Sequence, residues 1–217
     1  MKIVLIIVLL FVCKSSVSFG QSPCGFENEV SDLGIGVVEC PESVVIFKDR
    51  FLRDTLAEIQ LYSPDMNAMK ICSMFFKPDY GILHFACLAQ YPNSYKVLVN
   101  SNDSAFLERK NDLIFKTWPE YLLNVYGLRR KLSLNADAVQ PVIIDLADPK
   151  DTLTIPEGHE LFCPIEVKGD WIKIQYDCDK NQEILCSEKE MHCETPLVGW
   201  IRWRRDHEFL IEICILP

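Results

Sequence analysis

Two stretches near the C-terminal end of the chain constrain its fold most strongly, because each alternates between two kinds of residue. The alternating positions are Ile172, Ile174 and Tyr176 against Lys173 and Gln175 in the first stretch, and Ile201 and Trp203 against Trp200, Arg202 and Arg204 in the second. A period of two sends successive side chains to opposite faces of a β-strand. We therefore expect two strands here, each with one buried face and one solvent-facing face.

The same two stretches share a recurrent motif. Gly169-Asp170-Trp171-Ile172-Lys173 is followed, after an interruption, by Gly199-Trp200-Ile201. This pattern resembles the core of bacterial Src-homology-3-like domains, which are small barrels often attached to secreted proteins of the cell envelope. The resemblance implies a barrel fold for this part of the chain and does not specify a ligand.

Four sequence blocks recur in the same order along the chain. The matched blocks are residues 61–65 with 144–149, 83–87 with 160–163, 94–97 with 171–174, and 106–115 with 200–209. A shared order of four blocks is harder to produce by chance than any single match, so it indicates two related units. The predicted fold is all-β, with two small Src-homology-3-like barrels in tandem, at 43–117 and 138–217. The first copy is degenerate, because Ser94 replaces the first tryptophan and Ala105-Phe106 replaces glycine-tryptophan.

Residues 118–137 are predicted to form a helical linker between the two barrels. Pro119 suits the first helical turn, and the carboxylate of Glu120 suits the positive start of a helix. Gly127 can adopt the left-handed conformation that ends many helices, and the basic residues 129–131 would complement the negative helix end. We therefore expect one short helix that packs against a barrel.

The first 20 residues have the pattern of a secretory signal peptide. Lys2 precedes an apolar run over residues 3–12, and Ser18-Phe19-Gly20 places small residues three and one positions before Gln21. The run is shorter than the roughly 20 apolar residues that a membrane span requires. We expect an exported protein, periplasmic or extracellular, that is cleaved before Gln21 and has no membrane span.

The charge balance argues against nucleic-acid binding. The chain has 22 basic and 31 acidic residues, and removal of residues 1–20 takes away two lysines and no acid. A nucleic-acid-binding protein would normally carry an excess of basic residues that replace the counterions of phosphates. A strongly acidic exported chain therefore points to other partners.

Cysteines are frequent, and export would permit disulfides. Nine of the ten cysteines follow the predicted signal peptide, and an odd number leaves at least one thiol free or paired between chains. Residues 21–42 are expected to be an irregular lead-in, which a Cys24–Cys40 bridge could staple.

The second copy contains a cysteine-rich insertion at residues 177–197. It holds Cys178, Cys186 and Cys193 together with His192. The close Cys-x2–4-Cys spacing of structural zinc sites is absent, so disulfide bridging within this loop is the favoured interpretation and no metal site is predicted.

No catalytic framework is evident in the sequence. Gly-x-Ser-x-Gly, His-Glu-x-x-His and glycine-rich phosphate loops do not occur. His84 and Cys87 are near in sequence, but a regular strand would place them on opposite faces. We therefore expect a non-enzymatic protein without a cofactor.

The candidate ligand-binding residues are the aromatic and basic residues of the two alternating stretches: Trp171, Tyr176, Trp200, Arg202, Trp203 and Arg204. Aromatic-lined grooves bind extended peptides, and arginine suits carboxylates such as those of cell-wall peptides. The alternative for each aromatic residue is a place in the core, since aromatics dominate small cores. Parity with Ile201 places Trp203 inside and Trp200, Arg202 and Arg204 outside.

The predicted function is that of an exported binding module of the bacterial cell envelope, with a cell-wall peptide or an envelope protein as its partner. A small secreted hydrolase with an unrecognised site, and a structural or inhibitor subunit, remain as alternatives.

Overall fold

A computed structural model describes residues 32–40, 43–61, 71–131, 139–155, 160–176 and 197–215. Within these ranges the protein is almost entirely β, with antiparallel pairing between neighbouring strands and one short α-helix. The all-β prediction is confirmed. The predicted signal peptide at 1–20, and all of the insertion 177–197 except Leu197, lie outside the described residues.

The first sheet has eight strands. They are β1 (Gly36–Glu39), β2 (Val44–Phe47), β3 (Thr55–Ile59), β4 (Phe75–Lys77), β5 (Ile82–Gln90), β6 (Ser94–Leu98), β7 (Ser104–Glu108) and β8 (Ile114–Thr117). Their spatial order is β3-β2-β7-β6-β5-β1-β8, and β4 pairs with β5. One face of this sheet covers a core of its own that includes Val38, Phe85, Val97 and Leu107, all fully buried.

A helix, α1 (Trp118–Leu122), leads into the second sheet, which has seven strands. They are β9 (Gly127–Arg130), β10 (Val142–Asp145), β11 (Asp148–Leu153), β12 (Phe162–Lys168), β13 (Trp171–Tyr176), β14 (Leu197–Arg202) and, after a small hairpin of β15 (Arg204–Arg205) and β16 (Glu208–Phe209), β17 (Ile211–Cys214). The spatial order is β11-β10-β14-β13-β12-β9-β17.

The two sheets repeat one topology, because the strand order of the second follows that of the first once β4 and the β15–β16 hairpin are set aside. The registers also agree. Lys96 lies opposite Phe106 in the first sheet, as Lys173 lies opposite Trp200 in the second. Both sheets have a register shift at the matching place, just after Cys87 in the first sheet and just after Pro164 in the second. The sequence matches of 94–97 with 171–174 and of 106–108 with 200–202 therefore reflect equivalent strand positions. The rest of the match of 106–115 with 200–209 is wrong, because Phe115 lies in β8, the counterpart of β17, whereas Phe209 lies in β16.

The repeat differs from the prediction in two respects. The end strands of each sheet do not pair with each other over the described residues, so neither sheet closes into a barrel there. The predicted match of Leu61 with Ile144 is wrong, because Leu61 follows β3 whereas Ile144 lies in β10, the counterpart of β2, and residues 62–65 lie outside the described residues.

Each sheet also takes its first strand from a segment that was predicted to lie outside it. β1 lies within the predicted irregular lead-in, residues 21–42, and β9 lies within the predicted helical linker, residues 118–137. Both strands are four residues long and lie between two partner strands, so their place is fixed by distant pairing. Four residues are too few to show a reliable period.

The helix begins as predicted and ends earlier. Thr117 and Glu120 form a capping box in which the Thr117 amide donates to the Glu120 carboxylate at 2.8 Å. The helix stops at Leu122, and Gly127 opens β9 instead of capping the helix. The prediction for Gly127 is therefore wrong. A Cβ there would lie 2.6 Å from Cδ1 of Leu161, so the Leu161 side chain would have to shift to admit one.

Helix α1 packs between the two sheets. The Trp118 indole donates to the backbone oxygen of Leu33 at 3.1 Å, and its ring centroid lies 5.7 Å from that of Trp203. Both tryptophans belong to one core cluster, which also contains Val37 and Ala86 of the first sheet and Ile172 of the second. Apolar burial at Trp118 thus holds the two sheets together.

Candidate functional site

The pair β13–β14 has two chemically different faces. On the inner face Ile172 lies opposite Ile201 and Ile174 lies opposite Gly199, and all four are buried. A Cβ at Gly199 would lie 2.5 Å from the Val142 side chain, so glycine lets β10 approach β14 closely. The predicted alternation is confirmed for residues 171–175 and 200–203.

The other face, which we call the outer face, consists of Trp171, Lys173, Trp200 and Arg202. Trp171 lies opposite Arg202, and the Arg202 guanidinium is 4.9 Å from the centroid of the Trp171 ring. Lys173 lies opposite Trp200, and the Lys173 ammonium is 5.7 Å from the Trp200 centroid. Each indole is thus paired with a cation on the neighbouring strand, at distances where cations are attracted to aromatic faces.

The surroundings of the outer face are mixed in charge. On β12, Lys168 lies opposite Trp171, and Glu166 lies opposite Lys173. On β10, Ile143 lies opposite Trp200. Arg202 is exposed, whereas both tryptophans are half-buried. The arrangement offers an exposed guanidinium donor beside partly accessible indole surface, which suits a ligand that combines a carboxylate with an apolar group.

Gln140 contributes to this site and was missed by the sequence analysis. Its amide accepts from the Arg202 backbone N–H at 2.9 Å and donates to the Arg202 oxygen at 2.7 Å, in the manner of a neighbouring strand. This pairing fixes the backbone of Arg202 where β14 ends. The contact spans 62 residues of sequence, and no local signal around Gln140 could have indicated it.

Trp203 is not available to a ligand, which corrects its inclusion among the binding residues. Its side chain is 1% exposed. The indole N–H donates to the Gly169 oxygen at 2.9 Å, and the ring packs against Trp118 and Phe209. The prediction that Trp203 faces the core while Trp200 faces outward is confirmed.

Arg204 also lies away from the outer face. β14 ends at Arg202, and Arg204 belongs to the β15–β16 hairpin, so strand parity with Trp200 no longer applies. Its guanidinium donates to Asp170 at 2.7 Å and lies 4.7 Å from the centroid of the Trp203 ring, where it covers a core residue. Tyr176 is the last residue of β13, but its side chain lies outside the described part of the structure.

The titratable groups of β5 do not form a nucleophilic pair. Burial raises the pKa of Cys87 to about 12, and the Cys87 side chain belongs to the core of the first sheet. Burial lowers the pKa of His84 to about 4, and its ring is hydrogen-bonded to the Tyr121 hydroxyl at 2.9 Å. At neutral pH the thiol is protonated and the imidazole is neutral. The predicted separation of the two side chains onto opposite faces is confirmed.

The predicted Cys24–Cys40 bridge is wrong, because Cys40 forms no disulfide. It is a free, buried thiol whose pKa is raised to about 12, first by burial and then by Asp112 and Glu39. Cys40 directly follows β1, and its side chain joins the core of the first sheet, which is why it is not available to a surface bridge. Cys24 and the three cysteines of the insertion lie outside the described residues.

Two further features are absent from the described ranges. No cluster of three or more histidine, cysteine or acidic side chains there is arranged to hold a metal ion. No helix in the same ranges has the length and apolar character needed to cross a membrane.

Comparison with protein-family models, with curated proteins and with solved structures found no match for this chain.

Proposed function

We propose that this chain is an exported, non-catalytic binding protein whose outer face, Trp171, Lys173, Trp200 and Arg202, holds a peptide that carries a carboxylate. The observation behind the proposal is the pairing of each indole with a cation across β13 and β14. The proposed ligand is a cell-wall peptide or an acidic segment of an envelope protein. The bacterial setting follows from the resemblance to Src-homology-3-like domains.

The chemistry of the outer face supports this ligand class. Arg202 is exposed and forms no ion pair within the described residues, so its guanidinium is free to donate two parallel hydrogen bonds to a carboxylate. Tryptophan and arginine are the side chains most often found as anchors of protein interfaces. The Arg202 backbone is fixed by Gln140, so the site is partly organised before a ligand arrives.

The repeated topology supports a tandem arrangement of two related units, which we propose to be Src-homology-3-like. Only the second unit has the tryptophan at both outer positions. In the first sheet Ser94 takes the place of Trp171 and Glu108 takes the place of Arg202. Ser94 is buried and donates to the Arg50 oxygen, so it serves the fold of the first sheet. The proposed ligand site is therefore on the second sheet alone.

Export to an oxidising compartment is also part of the proposal. The signal-like residues 1–20 support it, and so do Cys72 and Cys163, which are both disulfide-bonded. Disulfides persist in secreted and periplasmic proteins and are rare where thiols are kept reduced.

A retention assay with two matched variants tests the proposal. The mature protein, residues 21–217, is incubated with purified cell wall and separately with an extract of envelope proteins, and bound protein is quantified. Arg202→Ala removes the exposed guanidinium and should reduce the apparent affinity by roughly 30-fold, which corresponds to about 2 kcal/mol, as expected for an interface anchor. Arg205→Ala is the control, because Arg205 is also exposed but is ion-paired to Glu208 at 2.9 Å in the β15–β16 hairpin.

Two outcomes would contradict the proposed binding role. Equal retention of wild type and Arg202→Ala would mean that the outer face is not the binding site. Absence of retention on cell wall, together with capture of one stoichiometric envelope protein that does not depend on Arg202, would favour a structural or inhibitor subunit.

A further inference from the structure

The loop between β2 and β3 lies far along the chain from the outer face. The Asp49 carboxylate accepts the backbone N–H of Phe51 at 2.8 Å and those of Arg53 and Asp54 at 3.2 and 3.1 Å. The loop is closed by a hydrogen bond from the Lys48 N–H to the Asp54 oxygen at 2.8 Å. These contacts define one conformation for the whole loop.

The loop presents a phenylalanine between two arginines. Phe51 is 61% exposed, so most of this aromatic side chain is accessible to solvent. The guanidinium carbons of Arg50 and Arg53 lie 4.7 and 5.3 Å from the centroid of the Phe51 ring. Arg50 also lies 6.0 Å from the centroid of the Tyr91 ring, so the cluster continues onto the β5–β6 hairpin.

Of the carboxylates in this loop, Asp49 attracts the Arg53 guanidinium but does not form an ion pair with it. Within the described ranges neither Arg50 nor Arg53 forms an ion pair, whereas Lys48 is paired to Asp54 at 3.1 Å. Asp49 directs its oxygens to three backbone N–H groups. Although burial opposes it, these hydrogen bonds keep the pKa of Asp49 below its ordinary value. The cluster is therefore a local positive surface on a chain whose formal net charge is −9.

We propose that Arg50, Phe51 and Arg53 form a docking surface for an acidic, extended segment of a partner protein. The charge complementarity is local, because an acidic partner is repelled by the net negative charge of the chain and attracted by the exposed guanidiniums of Arg50 and Arg53. Carboxylates would accept from the two guanidiniums, and the edge of the Phe51 ring would contact an apolar residue of the segment. The proposal does not depend on the outer face of the second sheet.

The geometry favours a peptide over an anionic glycan. Sugars bind aromatic residues by stacking on an open ring face, and both guanidiniums already lie over the Phe51 ring. The hydrogen-bond donors of the arginines and the ring edge stay accessible, and these suit carboxylates and aliphatic groups.

The test measures binding of a fluorescent oligoglutamate peptide to the mature protein at low ionic strength by anisotropy. The double variant Arg50→Ala/Arg53→Ala should weaken binding by roughly tenfold or more, because both donors are lost. Arg50→Lys/Arg53→Lys should recover part of the affinity, since lysine restores the positive charge without the planar guanidinium group. The fold is expected to survive, because both side chains are exposed and Ser94 contacts only the backbone oxygen of Arg50.

Matched controls distinguish binding at this surface from general charge attraction and from loss of folding. Lys48→Ala removes another cation of the same loop. Because Asp54 already neutralises Lys48, this variant should change the affinity for oligoglutamate by less than about twofold. Unfolding curves of all variants should overlay that of the wild type. The proposal is overturned if the double variant binds oligoglutamate as tightly as the wild type, or if Arg202→Ala alone abolishes binding. It is also overturned if a sulfated oligosaccharide binds through Arg50 and Arg53 while oligoglutamate does not.

Discussion

The Lys173 ammonium lies 5.7 Å from the centroid of the Trp200 ring, and the two residues face each other across β13 and β14. The equivalent positions of the first sheet hold Lys96 and Phe106, which also face each other. A lysine opposite an aromatic residue is therefore a shared feature of the two repeats. The second pair of the outer face, Trp171 with Arg202, is specific to the second repeat.

The different burial of two neighbouring tryptophans leads to the first prediction. Trp203→Ala removes a fully buried side chain that packs on Trp118, and it should lower the free energy of unfolding by about 3–5 kcal/mol. Trp200→Ala removes a half-buried ring and should cost clearly less. Chemical denaturation of both variants measures this. A larger loss for Trp200→Ala would show that the assignment of faces is inverted.

His84 should make the stability of the protein depend on pH. Burial lowers its pKa in the folded state to about 4 from an ordinary value of 6.5, so the unfolded state binds the proton first. The stabilisation is fully present above pH 6.5 and is lost as the pH falls toward about 4. It amounts to at most about 3 kcal/mol.

The variant His84→Gln isolates this effect, because glutamine keeps a polar partner for Tyr121 but does not titrate in this range. Denaturation curves at several pH values should show a steeper loss of stability in the wild type than in the variant between pH 6.5 and 4. Parallel pH profiles of the two proteins would contradict the account of His84.

The buried thiols should resist alkylation in the folded protein. The pKa of both Cys40 and Cys87 is raised to about 12 by burial, so almost no thiolate is present at pH 8. Iodoacetamide should label neither residue until denaturant is added, as read by peptide mass mapping. Rapid labelling of Cys40 in the native protein would show that this residue is not in the core.

Gly36 should be intolerant of a side chain. A Cβ at this position would lie 2.1 Å from the Lys116 oxygen and 2.9 Å from the Thr117 Cα, and both are backbone atoms of β8. Gly36→Ala should therefore separate β1 from β8 and reduce stability by several kcal/mol, about 3 or more, by overpacking. Gly169→Asn is the control, since nothing lies within 4 Å of a Cβ there and asparagine tolerates the positive φ of this position better than most residues. Equal melting temperatures for the two variants would contradict the described pairing of β1 and β8.

The strands that could be predicted from the sequence are those with a clear local period. Residues 171–176 and 199–203 alternate long enough to show which side chains face inward, and the burial of Trp203 followed from that alternation. The matches of 94–97 with 171–174 and of 106–108 with 200–202 also located equivalent strands, because these residues have the same cross-strand pairing.

What could not be predicted depends on distant contacts. β1 and β9 are four residues long and take their place from partners elsewhere in the chain. The position of Arg204 follows from the end of β14 at Arg202, which strand parity alone does not reveal. The role of Gln140 depends on hydrogen bonds to Arg202, 62 residues away. Local periodicity carries no information about contacts of this kind.

The most direct test of the outer face is a calorimetric titration of the mature protein with a soluble cell-wall peptide that carries a free carboxylate. The measurement is repeated with Trp171→Ala, with Arg202→Ala and with the double variant. The Arg202 guanidinium lies 4.9 Å from the centroid of the Trp171 ring, so the two residues are in contact. The losses of binding free energy in the two single variants should therefore not add up to the loss in the double variant, and the coupling energy should reach about 0.5–3 kcal/mol. Each single variant should weaken binding by roughly 2 kcal/mol. Unchanged affinity in all three variants, with intact unfolding curves, would contradict the proposal that this face binds the ligand.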